Sequence, residues 1–188
     1  HAADAGVLYI IDSIGGTPES VTEDCTDSAG GWSYDAGTAT LTLDGFQGEY
    51  IEANGDINIV LKGKNKITIS AESTEGIKST GKVTIDDTIS PVQDCLDIYC
   101  SDGTESVSMI YTGGFGADYA TYIVGGTVNL VEENTRRRYV TGISRWAYVE
   151  NDASLNINLS ADGGRNGVAA LLNLNTSGDT SFRVNSLS

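Results

Sequence analysis

Tyr99, Tyr122 and Trp146 follow one another at intervals of 23 and 24 residues, and Tyr148 lies two positions beyond Trp146. Each adjoins a residue suited to a core, namely Ile98, Ile123 or Ala147. Neighbours along an extended strand point to opposite faces, so an inward aliphatic residue sends the adjacent aromatic outward. Strands paired at ~4.8 Å would turn such rings into a ladder spaced like the units of a polysaccharide. Tyr and Trp suit that contact because each joins a flat apolar face to a polar edge. Tyr111, Phe115, Tyr119 and Tyr139 lie close enough in sequence to widen the surface. The plainer alternative is that these rings cover the side of the fold or pack beneath a loop.

Arg136, Arg137 and Arg138, with Arg145 close behind, form the one dense basic site in a chain of 26 acidic and 11 basic residues. A guanidinium grips a carboxylate through two parallel hydrogen bonds, so Arg136 and Arg138 are candidate contacts for an acidic sugar. A solvated or acid-paired loop explains the same run more simply. The acidic stretch Asp86, Asp87, Asp94, Asp97, Asp102 and Glu105 offers oxygen ligands that suit Ca²⁺. It has neither the EF-hand spacing nor the glycine-aspartate nonapeptide repeat. A further polar set, Ser106, Ser108, Thr127, Asn129, Ser154 and Asn156, reads as a solvated strand face with favourable cross-strand pairs.

Other chemistries lack their parts. The single histidine is His1, so zinc clusters and Cys–His pairs are missing. No nucleophile elbow, phosphate loop or dinucleotide fingerprint is present. A net charge of −15 argues against nucleic acid as a partner. No apolar run approaches the ~20 residues of a membrane-spanning helix, so membrane insertion is not expected. The three cysteines, Cys25, Cys95 and Cys100, cannot all pair within one chain. Cys95 and Cys100 could meet across a tight bend, and Cys25 could instead reach either. Starting at His1, the chain reads as a mature or trimmed form.

The elements that would position these residues are strands. Period-two alternation recurs at Thr40–Leu43, Asp56–Leu61, Lys82–Ile85, Ser106–Met109, Thr127–Leu130, Ser154–Ile157 and Ser181–Val184. Ile57, Val83, Val107, Val128, Leu155 and Phe182 hold matched places at intervals of 21 to 27 residues. Such spacing signals stacked units, none able to bury its apolar face alone. The expected fold is all-β: a right-handed, single-stranded parallel β-helix (a β-solenoid) over residues 39–188, with residues 1–38 as an N-terminal strand and capping segment. A β-sandwich is the main rival, but it does not need one segment order at nearly constant spacing.

The stretch from Trp32 to Leu43, followed by Ile51 to Thr68, resembles the opening coils of bacterial secreted β-helix domains described as carbohydrate-binding-domain-containing or adhesin-like. The resemblance covers residues 32–85 and implies an extracellular or cell-surface setting. It carries no catalytic motif. On this pattern Leu41, Leu43, Ile57, Ile59, Leu61, Ile67 and Ile69 fill the core. The functional expectation is a noncatalytic glycan-binding or surface module, with Tyr99, Tyr122, Trp146, Tyr148, Arg136 and Arg138 as ligand contacts. The alternative is a polysaccharide lyase or hydrolase acting on acidic glycans through arginine and carboxylates. A structural stalk without any ligand is a third reading.

Overall fold

The computed structural model describes residues 7–132, 136–160 and 167–187. The fold is all-β, and its only helical element among these residues is one 3-10 turn, Ala117–Tyr119. The chain opens with four strands, β1 (Leu8–Ile11), β2 (Glu19–Val21), β3 (Cys25–Asp27) and β4 (Trp32–Asp35). Three triplets follow. The first is β5 (Thr40–Asp44), β6 (Gln47–Gly48) and β7 (Tyr50–Ala53); the second is β8 (Ile57–Lys62), β9 (Lys64–Ile69) and β10 (Glu75–Ser79). The third is β11 (Val83–Asp87), β12 (Cys95–Cys100) and β13 (Val107–Thr112). Then come β14 (Thr121–Ile123), β15 (Thr127–Glu132), the long β16 (Tyr139–Val149), β17 (Ser154–Ser160), β18 (Gly167–Thr176) and β19 (Ser181–Leu187).

Parallel pairing sorts these strands into three ladders. One runs β7, β10, β13 and the first half of β16. A second runs β5, β8, β11, β14 and the second half of β16. The third runs β6, β9, β12, β15, β17 and β19. Strand β18 pairs in parallel along both halves of β16. Because β16 passes through two ladders, those two merge into one thirteen-stranded sheet, beside a six-stranded one. The N-terminal strands pair differently: β1 is antiparallel to β7, and β4 is antiparallel to β5. They thereby cover the first edges of two ladders, edges that would otherwise offer unpaired backbone groups to another chain.

The core follows from alternation. Leu41, Leu43, Ile57, Ile59, Leu61, Ile67 and Ile69 are all buried, as the sequence pattern requires. Ile85, Ile98, Ile123, Leu130, Ala147 and Leu155 continue the same interior.

The expected single interior ladder is corrected. Ile57 does pair with Val83, but Val83 then pairs with Thr121. Val107 belongs to another ladder, opposite Val140, and Val128, Leu155 and Phe182 stack within the third. The cause is unequal corner length. Ile57 and Val83 are 26 residues apart, Val83 and Thr121 are 38, and Thr121 and Ala147 are 26. The segments 88–94, 101–106 and 113–120 separate β11, β12, β13 and β14 and lengthen the path from Val83 to Thr121. Near-constant sequence spacing had therefore joined strands from different faces.

Candidate functional site

Strands β14 and β16 place Tyr122 opposite Tyr148, with inward Ile123 opposite Val149. Their rings are parallel within 5° and their centroids lie 4.5 Å apart. Trp146, two residues earlier on the same strand, lies beside Tyr148 with ring centres 6.3 Å apart and planes inclined by 28°. Lys82 sets its ammonium 5.7 Å from the Tyr122 ring centre, and the Tyr122 hydroxyl donates to the Ala117 carbonyl at 3.3 Å. Burial raises the Tyr122 phenol above its usual range, and the neighbouring Tyr148 and Glu150 push it the same way.

This arrangement corrects the expected stripe in two respects. Tyr99 lies on β12, in another ladder, where its partners are Thr68 and Val131 and the Lys66 ammonium sits 4.5 Å from its ring centre. One face of Tyr122 and one face of Tyr148 are also turned on each other, so those two faces are closed to a ligand.

Open aromatic surface lies at the adjoining corner. Phe115 is 75% exposed and Tyr119 40% exposed, on the segment that links β13 to β14. Gly114 lies directly against the Tyr119 ring, in a space that a Cβ atom would fill. Across the corner stands Arg145, in the bend where β16 passes from one ladder to the next. The β16–β18 register shifts between Ile143 and Trp146, and Arg145 has φ of 80°. Its guanidinium carbon lies 4.1 Å from the Phe115 ring centre and 6.0 Å from that of Tyr111. The Arg145 Nε is buried without a hydrogen-bond partner. Tyr139, at the start of β16, is a further exposed ring.

The arginine run separates into different roles. Arg136 is exposed and engages Asp102, its backbone N–H donating to Oδ1 at 2.6 Å and its Nε to Oδ2 at 2.8 Å. Those bonds hold the Asp102 carboxyl below its usual range. Arg138 is exposed. Arg137 between them is fully buried, donating to the carbonyls of Ser101, Ser73 and Ser70 at 3.0, 3.1 and 2.6 Å. Gly103 makes room for it, since a Cβ there would fall 2.6 Å from the guanidinium carbon. Nothing in the sequence distinguishes Arg137 from its neighbours.

Several carboxylates of the acidic stretch are engaged within the fold. Asp94 is buried and accepts from the N–H groups of Gly63, Thr88, Ile89 and Ser90 and from the Thr88 hydroxyl. Asp97 accepts from Asn129 at 2.6 Å, and Asn129 from Asn156 at 2.9 Å, so part of the second polar set is a cross-strand ladder. Ser108 lies elsewhere, opposite Thr141. Among the described residues no three acidic, Cys or His side chains converge as a metal site. The disulfide candidate is corrected as well. Cys95 and Cys100 occupy the two ends of β12 and point to opposite faces, so no bond joins them. Five residues of extended chain separate Cα atoms by roughly 16 Å, far beyond the ~7 Å limit of a disulfide.

A cleft of about 440 Å³ lies elsewhere, against β3, β4 and β5, lined by Ser33, Asp35, Thr38, Thr40 and Thr42 among others. It offers no cation, so the corner around Arg145 is the better candidate. Comparison of the chain with protein-family models, curated proteins and solved structures finds no match.

Proposed function

We propose that the chain is a right-handed parallel β-helix acting as a noncatalytic, extracellular glycan-binding or adhesin-like surface module of a bacterial protein. The recurrence of three parallel ladders in one strand order supports the architecture. The functional reading rests on the corner where Phe115 and Tyr119 stay exposed beside Arg145 and half-buried Trp146. Exposed apolar rings grouped with polar neighbours mark recognition surfaces, and aromatic rings with hydroxyl edges suit sugars. The lyase or hydrolase reading draws less support, because Arg136 is held by Asp102 and Arg137 by backbone carbonyls. No helix among the described residues is long and apolar enough to cross a membrane.

A glycan array at neutral pH, with and without Ca²⁺, tests the proposal. Retention of specific saccharides by the wild type and their loss in Phe115→Ala is the expected result. Release of soluble fragments from a retained polymer would make the protein an enzyme, and an empty array would leave a structural stalk.

A further inference from the structure

Arg145 combines three features that ordinary surface arginines lack. Its backbone stands at φ 80°, a region that non-glycine residues occupy at a steric cost. Its Nε is buried without a hydrogen-bond partner, and a buried donor left unpaired is costly as well. Among the described residues it also makes no ion pair, although the chain carries a net charge of −15. Its contacts are instead with the rings of Phe115 and Tyr111, which hold the guanidinium plane in place. A packing role would be served by an aliphatic residue without the unpaired donor, and the bend itself would be served by glycine without either cost.

We propose that Arg145 is the carboxylate-recognising residue of the glycan site, so that its ligand class is acidic saccharides. This assignment rests on the glycan-binding reading above. A sugar ring resting against the exposed Phe115 would bring a carboxylate to the Nη1–Nη2 edge of the guanidinium, the edge away from the buried Nε, where two parallel hydrogen bonds form. The aromatic stacking orients the fork before the ligand arrives, so little side-chain freedom is lost on binding. Lys82 sets a positive charge over the Tyr122 ring, while Asp118 and Glu150 lie near the Tyr122 hydroxyl and limit how close an anion can come there. The acidic partner is therefore expected at the Arg145 end of the surface rather than over the tyrosine pair.

The test compares oligogalacturonate, oligomannuronate and sialyllactose, each against its neutral methyl ester, by calorimetric titration of the whole chain in physiological salt. The wild type should bind at least one acid tenfold or more tightly than its ester. Arg145→Gly and Arg145→Met should abolish that preference. Arg145→Gly should also melt no earlier than the wild type, because glycine accepts the positive φ. Equal binding of acid and ester by the wild type would overturn the carboxylate assignment and leave glycan binding standing. Absence of binding to all six saccharides would overturn the carboxylate assignment, and an empty glycan array besides would overturn the glycan-binding reading. An acid preference that survives in Arg145→Met would place the carboxylate contact elsewhere.

Discussion

The rings of Tyr122 and Tyr148 lie face to face, parallel within 5° and 4.5 Å apart, on neighbouring strands of one ladder. That distance is close to the strand spacing itself, so the backbone register alone brings the rings into contact. The pair is then a part of the fold's outer surface, and the Tyr122 hydroxyl reaches Ala117, on the corner segment that also carries Phe115. A double-mutant cycle with Tyr122→Ala and Tyr148→Ala should give a coupling of about 0.5–1.5 kcal/mol in unfolding free energy. Additive effects would show that the rings do not support each other in solution.

Trp146 is half-buried against Tyr148, so its removal should act on stability and binding together. Phe115 is the contrasting case. Phe115→Ala should leave the melting temperature nearly unchanged while weakening saccharide binding by about 1 kcal/mol or more. Parallel thermal melts and affinity titrations of the two variants would check this separation.

Arg137 and Arg136 are adjacent in sequence and opposite in consequence. Arg137→Ala leaves the carbonyls of Ser70, Ser73 and Ser101 without their donor and opens a void, and should cost about 3 kcal/mol or more. Arg136→Ala removes an exposed pair with Asp102 and should cost about 1 kcal/mol at most. Urea unfolding of both variants measures the difference. Similar midpoints would contradict the buried placement of Arg137.

Two aspartates should respond to pH with opposite sign. Burial alone would raise the Asp94 carboxyl, but the N–H donors of Gly63, Ile89 and Thr88 outweigh it and leave it below its usual range. Its stabilising contribution is present above the unfolded value near ~3.9 and is lost as pH falls through the lower native value. Asp94→Asn sets an amide against backbone donors, so it should destabilise at neutral pH and flatten the acid limb of stability. Asp87 is raised, first by burial and then by Asp152, Asp86 and Asp94, against the Gly126 N–H bond. Its ionisation therefore opposes folding above the native value. Asp87→Asn should be more stable than the wild type at neutral pH, with the gain fading as pH falls through that value. Denaturation at a series of pH values reads both effects.

Val128 is buried in β15, between Leu96 and Leu155 on the neighbouring strands. Val128→Asp places a carboxylate there with no partner and should abolish cooperative folding, because unpaired charge in an apolar interior costs several kcal/mol (roughly). Retention of a wild-type melting temperature would remove Val128 from the core.

What the sequence determined by itself was local. Alternation with period two marks strands wherever one face is buried, so the inward set from Leu41 to Leu155 and the all-β class were legible from residue types alone. Which strand lies on which was decided only in three dimensions. Pairing is non-local, and the lengthened corners at 88–94, 101–106 and 113–120 shift one coil against the next without altering the alternation within any strand. Tyr99 therefore left the expected stripe while keeping its outward parity. Arg137 and Arg145 show the same limit in side chains. An arginine's sequence neighbours do not state whether carbonyls 36 to 67 residues away will enclose it, or whether a bend will carry it onto an aromatic ring. Those outcomes depend on how the strands are paired, which is a property of the folded chain.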